Sequence, residues 1–168
     1  TLNLARMIEK TTEEINKGTD VICEASFSHN GQYCAIDLLK REKDGYAIYE
    51  VKSSTVNEKN MKAVYVADVD YQKYVLEHCG VRITGTYIVS INNDYVYDGK
   101  LDLERLFQIT DVSEFVRNEI GEVEKNLLQE DTLLESENEP ERELGLYCKD
   151  PYGCPYWEYC AKELPTPS

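Results

Sequence analysis

The sequence has few basic residues and no long apolar run. Lys and Arg total 18 against 32 Asp and Glu, which gives a net charge of −14. A protein that binds nucleic acid by simple electrostatics normally carries a basic surface, so this acidity argues against that class. No run of about 18 apolar residues occurs, so the sequence predicts no membrane span. It contains neither a Gly-x-Gly-x-x-Gly fingerprint nor a Walker A loop, which argues against nucleotide-binding folds of those types.

The composition favours a folded domain in a reducing compartment. Hydrophobic residues make up 42% of the 168 positions, enough for a core. The sequence has no secretory-signal pattern and no Asn-x-Ser/Thr sequon. A chain of this length also does not need disulfides for stability. We therefore expect a cytoplasmic protein in which Cys23, Cys34 and Cys79 are small buried hydrophobic residues.

Hydrophobic periodicity predicts a helix, an antiparallel meander and then alternating helices and strands. Asn30-Gly31 is a strong hairpin signal between the first two strands. The second helix is expected to bury Ala67, Tyr71, Val75 and Cys79. The predicted elements are a helix over 1–17 ending at Gly18, strands over 20–28, 32–41 and 46–53, a helix over 66–79, a buried strand over 82–91, a short edge strand over 94–97 and a helix over 112–129.

Three charged residues fall on one face of the second predicted hairpin. If the turn is Lys43-Asp44, Asp37 lies across from Glu50; if it is Asp44-Gly45, Asp37 lies across from Lys52. Side chains alternate along a strand with a period of two, so Glu50 and Lys52 share a face. Either register therefore gathers the three side chains.

This arrangement indicates a metal site. Two carboxylates, Asp37 and Glu50, can bind Mg²⁺ or Mn²⁺, and the carbonyl of Val51 could add a ligand. Lys52 could orient or help deprotonate an attacking water and offset charge on a phosphate. The implied reaction is phosphodiester hydrolysis by in-line attack. A cross-strand salt bridge is the alternative interpretation of the same charges. Glu24, on the first strand, is expected to be structural or exposed, and the alternative is that it points toward the site.

The C-terminal part of the chain has a different composition. Residues 130–143 contain seven acidic residues and one Arg, which predicts an acidic linker over 130–146 between a core over 1–129 and a final segment over 147–165. In that segment five residues separate Cys148 from Cys154 and five separate Cys154 from Cys160. These thiolates are candidate ligands of a metal or cluster, with zinc as the rival to iron–sulfur. Free thiols in a flexible tail are the third interpretation.

The order of these motifs resembles the PD-(D/E)xK nuclease superfamily and, within it, the RecB-like branch. Asp37 is followed by Glu50-Val51-Lys52 and then by a helix carrying Tyr71-Gln72. The resemblance covers roughly residues 5–165. It implies a restriction-endonuclease-like α/β core, in which a central mixed sheet begins as an antiparallel meander and is flanked by helices. The implied catalytic residues are Asp37, Glu50, Lys52 and Gln72.

The resemblance also assigns roles. Asp37 and Glu50 would bind the metal, Lys52 would position and polarise the water, and Gln72 would orient Lys52 or the phosphate. The sequence departs from the family in the spacing of its C-terminal cysteines, which differs from the common Cys-x-x-Cys-x5-Cys pattern, and in the residues that follow Gln72. The Tyr that usually follows the Gln by three or four residues is absent, because Val75 and Leu76 stand there.

The C-terminal cysteines resemble those of the iron–sulfur members of this branch, the AddB-like and CRISPR-associated exonucleases. There, a C-terminal group of cysteines and one upstream cysteine bind a 4Fe–4S cluster that ties the ends of the nuclease domain together. The implied ligands here are Cys148, Cys154 and Cys160. In the bacterial subgroup that shares the Cys-x-Asp-Pro-Tyr-x-Cys-Pro pattern, the fourth cysteine precedes the position of Thr1 and another domain follows Pro165. We therefore expect that this chain lacks the fourth ligand and that a longer parent chain supplies a further domain.

These observations lead to three functional hypotheses. The first is a cytoplasmic, metal-dependent DNA nuclease that acts on single strands or from ends. The second is a catalytically inactive module that binds nucleic acid or protein. It would use the segment over 147–165 with its three cysteines, called the cysteine clasp below, only for stability. The third is a redox module, whose cluster signal would be independent of Glu50.

Overall fold

The structure is a computed structural model that describes residues 3–56, 61–118, 121–141, 143–150, 152–162 and 164. A 3₁₀ turn covers Leu146–Cys148. The helices are α1 (Leu4–Lys17), α2 (Ala63–His78), α3 (Leu103–Leu106), α4 (Ser113–Asn118), α5 (Glu122–Leu134) and α6 (Trp157–Cys160). The strands are β1 (Val21–His29), β2 (Gln32–Glu42), β3 (Gly45–Val51), β4 (Ile83–Ile91) and β5 (Phe107–Asp111).

Helix α1 is capped at both ends, and its C-terminal cap is the predicted Gly18. The Asn3 side chain accepts a hydrogen bond from the Arg6 N–H at 3.1 Å. Gly18 ends the helix in the left-handed region, with φ of 74°. The Gly18 carbonyl accepts a hydrogen bond from Arg41 of β2 at 2.7 Å, which joins the helix end to the sheet.

The predicted meander is confirmed. Asn30 and Gly31 both have positive φ, 49° and 87°, as a two-residue type I′ hairpin turn requires. The second hairpin pairs Glu42 with Gly45, so its turn is Lys43-Asp44. The five-stranded sheet has the order β1-β2-β3-β4-β5, in which only the β3–β4 pair is parallel among the described residues.

Helix α2 makes the crossover between the two parallel strands, as a parallel connection requires. Its buried residues include Val69, Val75 and Leu76, which pack in one core with fully buried residues of three strands, Ile36, Leu39, Ile48 and Ile88. Strand β4 lies between β3 and β5, which explains its apolar sequence. The fold is therefore the expected α/β core, in which a central mixed sheet begins as an antiparallel meander and is flanked by helices.

Helix α2 buries a different face from the one predicted. Val75 is buried, but Ala67 and Cys79 are exposed, and Val66 and Val69 are buried instead. The cause is that apolar residues occur on more than one side of this helix, so periodicity alone does not select the face. The expectation for the first three cysteines was also partly wrong. Cys34 is buried, whereas Cys23 and Cys79 are exposed.

Two further elements differ from the predictions. Residues 94–97 form no strand, and the edge position belongs to β5. The helix predicted over 112–129 is two helices, because Gly121 has φ of 95° between α4 and α5. Asp111 accepts a hydrogen bond from the Ser113 N–H at 2.8 Å, where α4 begins.

The chain forms two compact units, Thr1–Leu127 and Leu128–Ser168. The division into a core over 1–129, a linker over 130–146 and a clasp over 147–165 stays a prediction. Helix α5 extends to Leu134, into the segment predicted as a linker, and residues 135–141 contain neither helix nor strand. In the described part of the chain, no helix is long and apolar enough to cross a membrane.

Candidate functional site

The site begins where strands β2 and β3 separate. Their ladder runs from Glu42↔Gly45 to Leu38↔Tyr49. One residue further, this register places Asp37 opposite Glu50, but the backbones no longer pair there. The Asp37 carboxylate itself accepts the Val51 N–H at 2.7 Å. The Asp37 side chain therefore lies against the peptide bond that follows Glu50.

Glu50 is the most enclosed charge of the site. The residue is only 9% exposed, because β3 lies between β2 and β4. One carboxylate oxygen accepts a hydrogen bond from Lys52 Nζ at 2.8 Å. The other accepts a hydrogen bond from Gln72 Nε2 at 2.7 Å. A buried carboxylate requires such partners, and here they fix its orientation.

Lys52 is the first residue after β3 and remains beside β4, because its N–H donates to the Val89 carbonyl at 2.8 Å. Its ammonium bridges two carboxylates, Glu50 at 2.8 Å and Asp68 at 2.7 Å. Burial alone would lower the pKa of Lys52, but the hydrogen bonds to Asp68 and Glu50 outweigh burial and raise this pKa. Lys52 is therefore a protonated donor in this structure.

Helix α2 supplies the other half of the site. Asp68 and Gln72 are four residues apart, so they share one face of the helix. Together they close a ring of contacts in which Asp68 binds Lys52, Lys52 binds Glu50, and Glu50 binds Gln72. Sequence reasoning missed Asp68. Its position one helical turn before Gln72 was the signal that could have found it.

Gln72 leaves one polar atom without a partner. Its Oε1 is buried and accepts no hydrogen bond from any described residue. An unsatisfied buried acceptor costs about 1–3 kcal/mol, so such an atom marks a place where a donor or a cation belongs. Gln72 was predicted to orient Lys52 or a phosphate, but the structure places its amide on Glu50 instead.

The donor set fits a hard divalent cation. The Asp37 and Glu50 carboxylates and the free Gln72 amide oxygen are oxygen donors of the kind that Mg²⁺ and Mn²⁺ prefer. Among the described residues, no group of three or more His, Cys, Asp or Glu side chains could bind a metal ion. An ion at this site would therefore need neutral oxygen ligands in addition to the two carboxylates. The predicted carbonyl ligand, Val51, is the last residue of β3 and is 42% exposed.

Glu24 lies in line with the two predicted metal ligands. The β1–β2 ladder pairs Cys23 with Leu38 and Ala25 with Ile36, but it omits Glu24 and Asp37 between them. Glu24 has φ of 53°, in the left-handed region, which is costly for a residue with a side chain. By register, Glu24, Asp37 and Glu50 form a row across three strands. Strained backbone of this kind is common at functional sites.

The three C-terminal cysteines line one cavity in the second unit. Cys148 is buried, Cys154 is half-buried and Cys160 is exposed. The cavity has a volume of about 760 Å³, and its wall also includes Tyr147, Tyr156 and Tyr159. Among the described side chains, these thiols do not form a group that could bind a metal ion. The iron–sulfur ligand set therefore stays a prediction.

Comparison with known proteins gives only distant likenesses. No protein-family model matches the chain, and no curated protein matches it. The crystal structure of SSO0001 aligns with a TM-score of 0.42 and 15% identity over 96% of this chain and 71% of that one. The alkaline exonuclease LHK-Exo from Laribacter hongkongensis aligns with a TM-score of 0.40 and 14% identity over 78% of this chain and 68% of that one. Neither likeness is close enough to carry an argument about chemistry.

Proposed function

We propose that the chain is a metal-dependent deoxyribonuclease of RecB-like type that hydrolyses phosphodiester bonds. One observation carries the proposal. Glu50, 9% exposed, is fixed between Lys52 and Gln72, and Asp37 is bound to the next peptide N–H. A buried acid with fixed orientation beside a second acid and an ammonium is an arrangement suited to phosphoryl chemistry.

Each residue has a role that follows from its contacts. Asp37 and Glu50 would bind Mg²⁺ or Mn²⁺, which when present supplies electrophilic stabilisation of the phosphate. Lys52 is held as an ammonium between Glu50 and Asp68, so its third N–H is suited to donating a hydrogen bond to a phosphate oxygen or to an attacking water. Gln72 keeps Glu50 in place through the 2.7 Å hydrogen bond.

The proposed substrate is DNA, either single-stranded or cut from an end. The net charge of −14 opposes DNA binding over most of the surface, so binding would depend on the metal to reverse the local charge at the site. DNA affinity, as well as cleavage, should therefore require the divalent ion. A further domain of a longer parent chain is proposed as a second source of DNA contacts.

Cleavage assays test the proposal. The purified chain is incubated with linear single-stranded DNA, linear duplex DNA and closed circular DNA in Mg²⁺, in Mn²⁺ and with chelator. We expect metal-dependent loss of the linear substrates, and no loss with Lys52→Ala. The matched control is Lys125→Ala, which removes an exposed lysine paired with Glu122 at 3.2 Å and should leave the activity unchanged. Equal rates for the Lys52→Ala variant and the wild type would contradict the assignment.

The cysteine clasp is a separate proposal. Cys148, Cys154 and Cys160 line one cavity, and a 4Fe–4S cluster there would need rearrangement of the thiols and a fourth ligand from outside this chain. Anaerobic purification followed by visible absorption, with iron, sulfide and zinc analysis, tests it. Iron and sulfide in equal amounts would support the cluster. In a chain that supplies the fourth ligand, zinc alone, or no metal, would refute it.

A non-catalytic interaction module is the second candidate. The observation that favours it is that both oxygens of Glu50 already have protein partners and that Lys52 already donates to two carboxylates. Such a closed network can be purely structural. Retained nucleic-acid or protein binding without any cleavage in Mn²⁺ would favour this candidate over the nuclease.

A further inference from the structure

The two histidines of the chain lie side by side at the end of the domain where β1 and α2 finish. His29 is the last residue of β1 and His78 is the last residue of α2. Their ring centroids are 5.0 Å apart, and the rings are tilted by 42°. The sequence contains two His in all, so the fold has brought together every imidazole in the chain.

The orientation of His78 is fixed by its neighbours on α2. Its Nδ1 lies 2.8 Å from the Tyr74 carbonyl oxygen. A carbonyl can only accept, so Nδ1 must carry the proton and Nε2 of the neutral ring carries the lone pair. The Tyr74 ring also contacts the imidazole, with centroids 4.0 Å apart. An imidazole that donates one N–H to a carbonyl and keeps the other nitrogen free is the usual state of a metal-ligating His.

A contact between the two elements keeps the histidines near each other. The Cys79 thiol, one residue after His78, lies 3.5 Å from the carbonyl oxygen of Ser28, the residue before His29. His78 is exposed and His29 is half-buried, so both rings are accessible to an ion from solvent. Two imidazoles bound to one tetrahedral ion have their centroids about 5 Å apart, which follows from Zn–N distances near 2.0–2.1 Å.

We propose that His29 and His78 form a binding site for a borderline transition-metal ion such as Zn²⁺. The site would use two imidazole nitrogens, and water would complete the coordination. This agrees with the finding that no larger ligand group exists among the described side chains. Imidazole favours Zn²⁺, Ni²⁺ and Cu²⁺ over Mg²⁺, so the site differs in metal preference from the Asp37–Glu50 pair. It is also independent of the proposed nuclease function.

NMR of the histidine rings tests this directly, because only two ring signals exist. Before metal is added, the ¹⁵N shifts of His78 at alkaline pH should show a protonated Nδ1 and a free Nε2. On addition of Zn²⁺, both ring signals should shift or broaden together, with saturation at one ion. Mg²⁺ should move neither signal. Movement of only one ring, or of neither, would overturn the proposal.

Variants distinguish a shared site from two separate ones. His29→Asn should weaken the effect of Zn²⁺ on His78 by about tenfold or more, because one of two ligands is lost. Cys23→Ser is the matched control, since it changes an exposed cysteine earlier on β1, retains both imidazoles and the Cys79 contact, and should leave the affinity unchanged. An unchanged affinity in His29→Asn, or loss of binding in Cys23→Ser, would refute a two-imidazole site. Far-ultraviolet circular dichroism of each variant verifies the fold. Zinc bound by the C-terminal thiols should not change the histidine ring signals, so the NMR readout reports only on the histidine site.

Discussion

The ammonium of Lys52 lies 2.7 Å from the carboxylate of Asp68, and this contact joins the end of β3 to helix α2. Among the described contacts of Glu50, Val51 and Lys52, only the Lys52 side chain binds Asp68. Because Gln72 is one helical turn further along, the same helix controls both Lys52 and Glu50.

Asp68→Asn should make Lys52 easier to deprotonate. The hydrogen bonds to Asp68 and Glu50 raise the pKa of Lys52, so the loss of one carboxylate lowers it. At a fixed alkaline pH a larger fraction of Lys52 is then neutral, and its acylation rate, followed by mass spectrometry, should increase. Stability should change by only about 0–1 kcal/mol, because the pair is partly exposed.

The matched control is Glu77→Ala, which breaks the pair with Lys73 on the same helix and should leave Lys52 unaffected. Slower acylation of Lys52 in Asp68→Asn would contradict this account.

Gln72→Leu should destabilise the domain. The substitution removes the donor at 2.7 Å from Glu50 and leaves a buried carboxylate oxygen without its partner. Removal of the unpaired Gln72 Oε1 offsets part of this cost, so the expected loss is about 1 kcal/mol in the free energy of unfolding by urea. Gln108→Leu, on an exposed position of β5, is the control and should change stability little.

A second substitution at the same position, Gln72→Glu, tests the electrostatic environment of Glu50. It places a second carboxylate beside Glu50, and like charges disfavour ionisation of both. The deficit in stability should therefore be larger at about pH 8 than at about pH 5, where protonation relieves the repulsion. An equal deficit at both pH values would show that the loss comes from packing alone.

Glu24→Gly should separate stability from function. Glu24 has φ of 53°, a conformation that costs residues with a side chain about 1–2 kcal/mol but that glycine adopts freely. We expect a small gain in the free energy of unfolding. If the row of Glu24, Asp37 and Glu50 serves the proposed reaction, metal-dependent cleavage should fall in the same variant. A loss of stability would show that other contacts, and not backbone strain, dominate at Glu24.

Cys34 should make stability depend on alkaline pH. Burial raises the pKa of the Cys34 thiol from 9.0 to about 12, and the neighbouring Cys79 adds to the shift. Because the folded state disfavours the thiolate, this stabilising contribution is complete below pH 9 and is lost as the pH rises from 9 towards 12. Urea unfolding at neutral and alkaline pH should show a smaller decline in Cys34→Ala than in the wild type. Cys23→Ala, at an exposed position, should decline as the wild type does.

Reaction with iodoacetamide gives an independent measurement of the same thiol. At mildly alkaline pH the native protein should be labelled at exposed Cys23 well before buried Cys34. Equal labelling rates at the two positions would contradict the pKa assignment.

The sequence by itself determined the meander and the neighbourhood of the three charged residues. The first hairpin turn depends on local chemistry, because Asn30-Gly31 favours a type I′ turn. The sequence left the second turn open between two registers, both of which gather the three side chains, and the structure has the register that places Asp37 opposite Glu50. Side chains two residues apart on a strand must share a face, so Glu50 and Lys52 needed no tertiary information.

Only the tertiary structure decided which side chains complete the site. Asp68 is an ordinary helical acid in the sequence, and it gains its role because the α2 crossover brings it to Lys52. The buried face of α2, the exposure of Cys79 and the pairing of His29 with His78 likewise depend on how the helix rotates against the sheet. That rotation is set by packing with distant strands, and local periodicity does not encode it when apolar residues surround the helix.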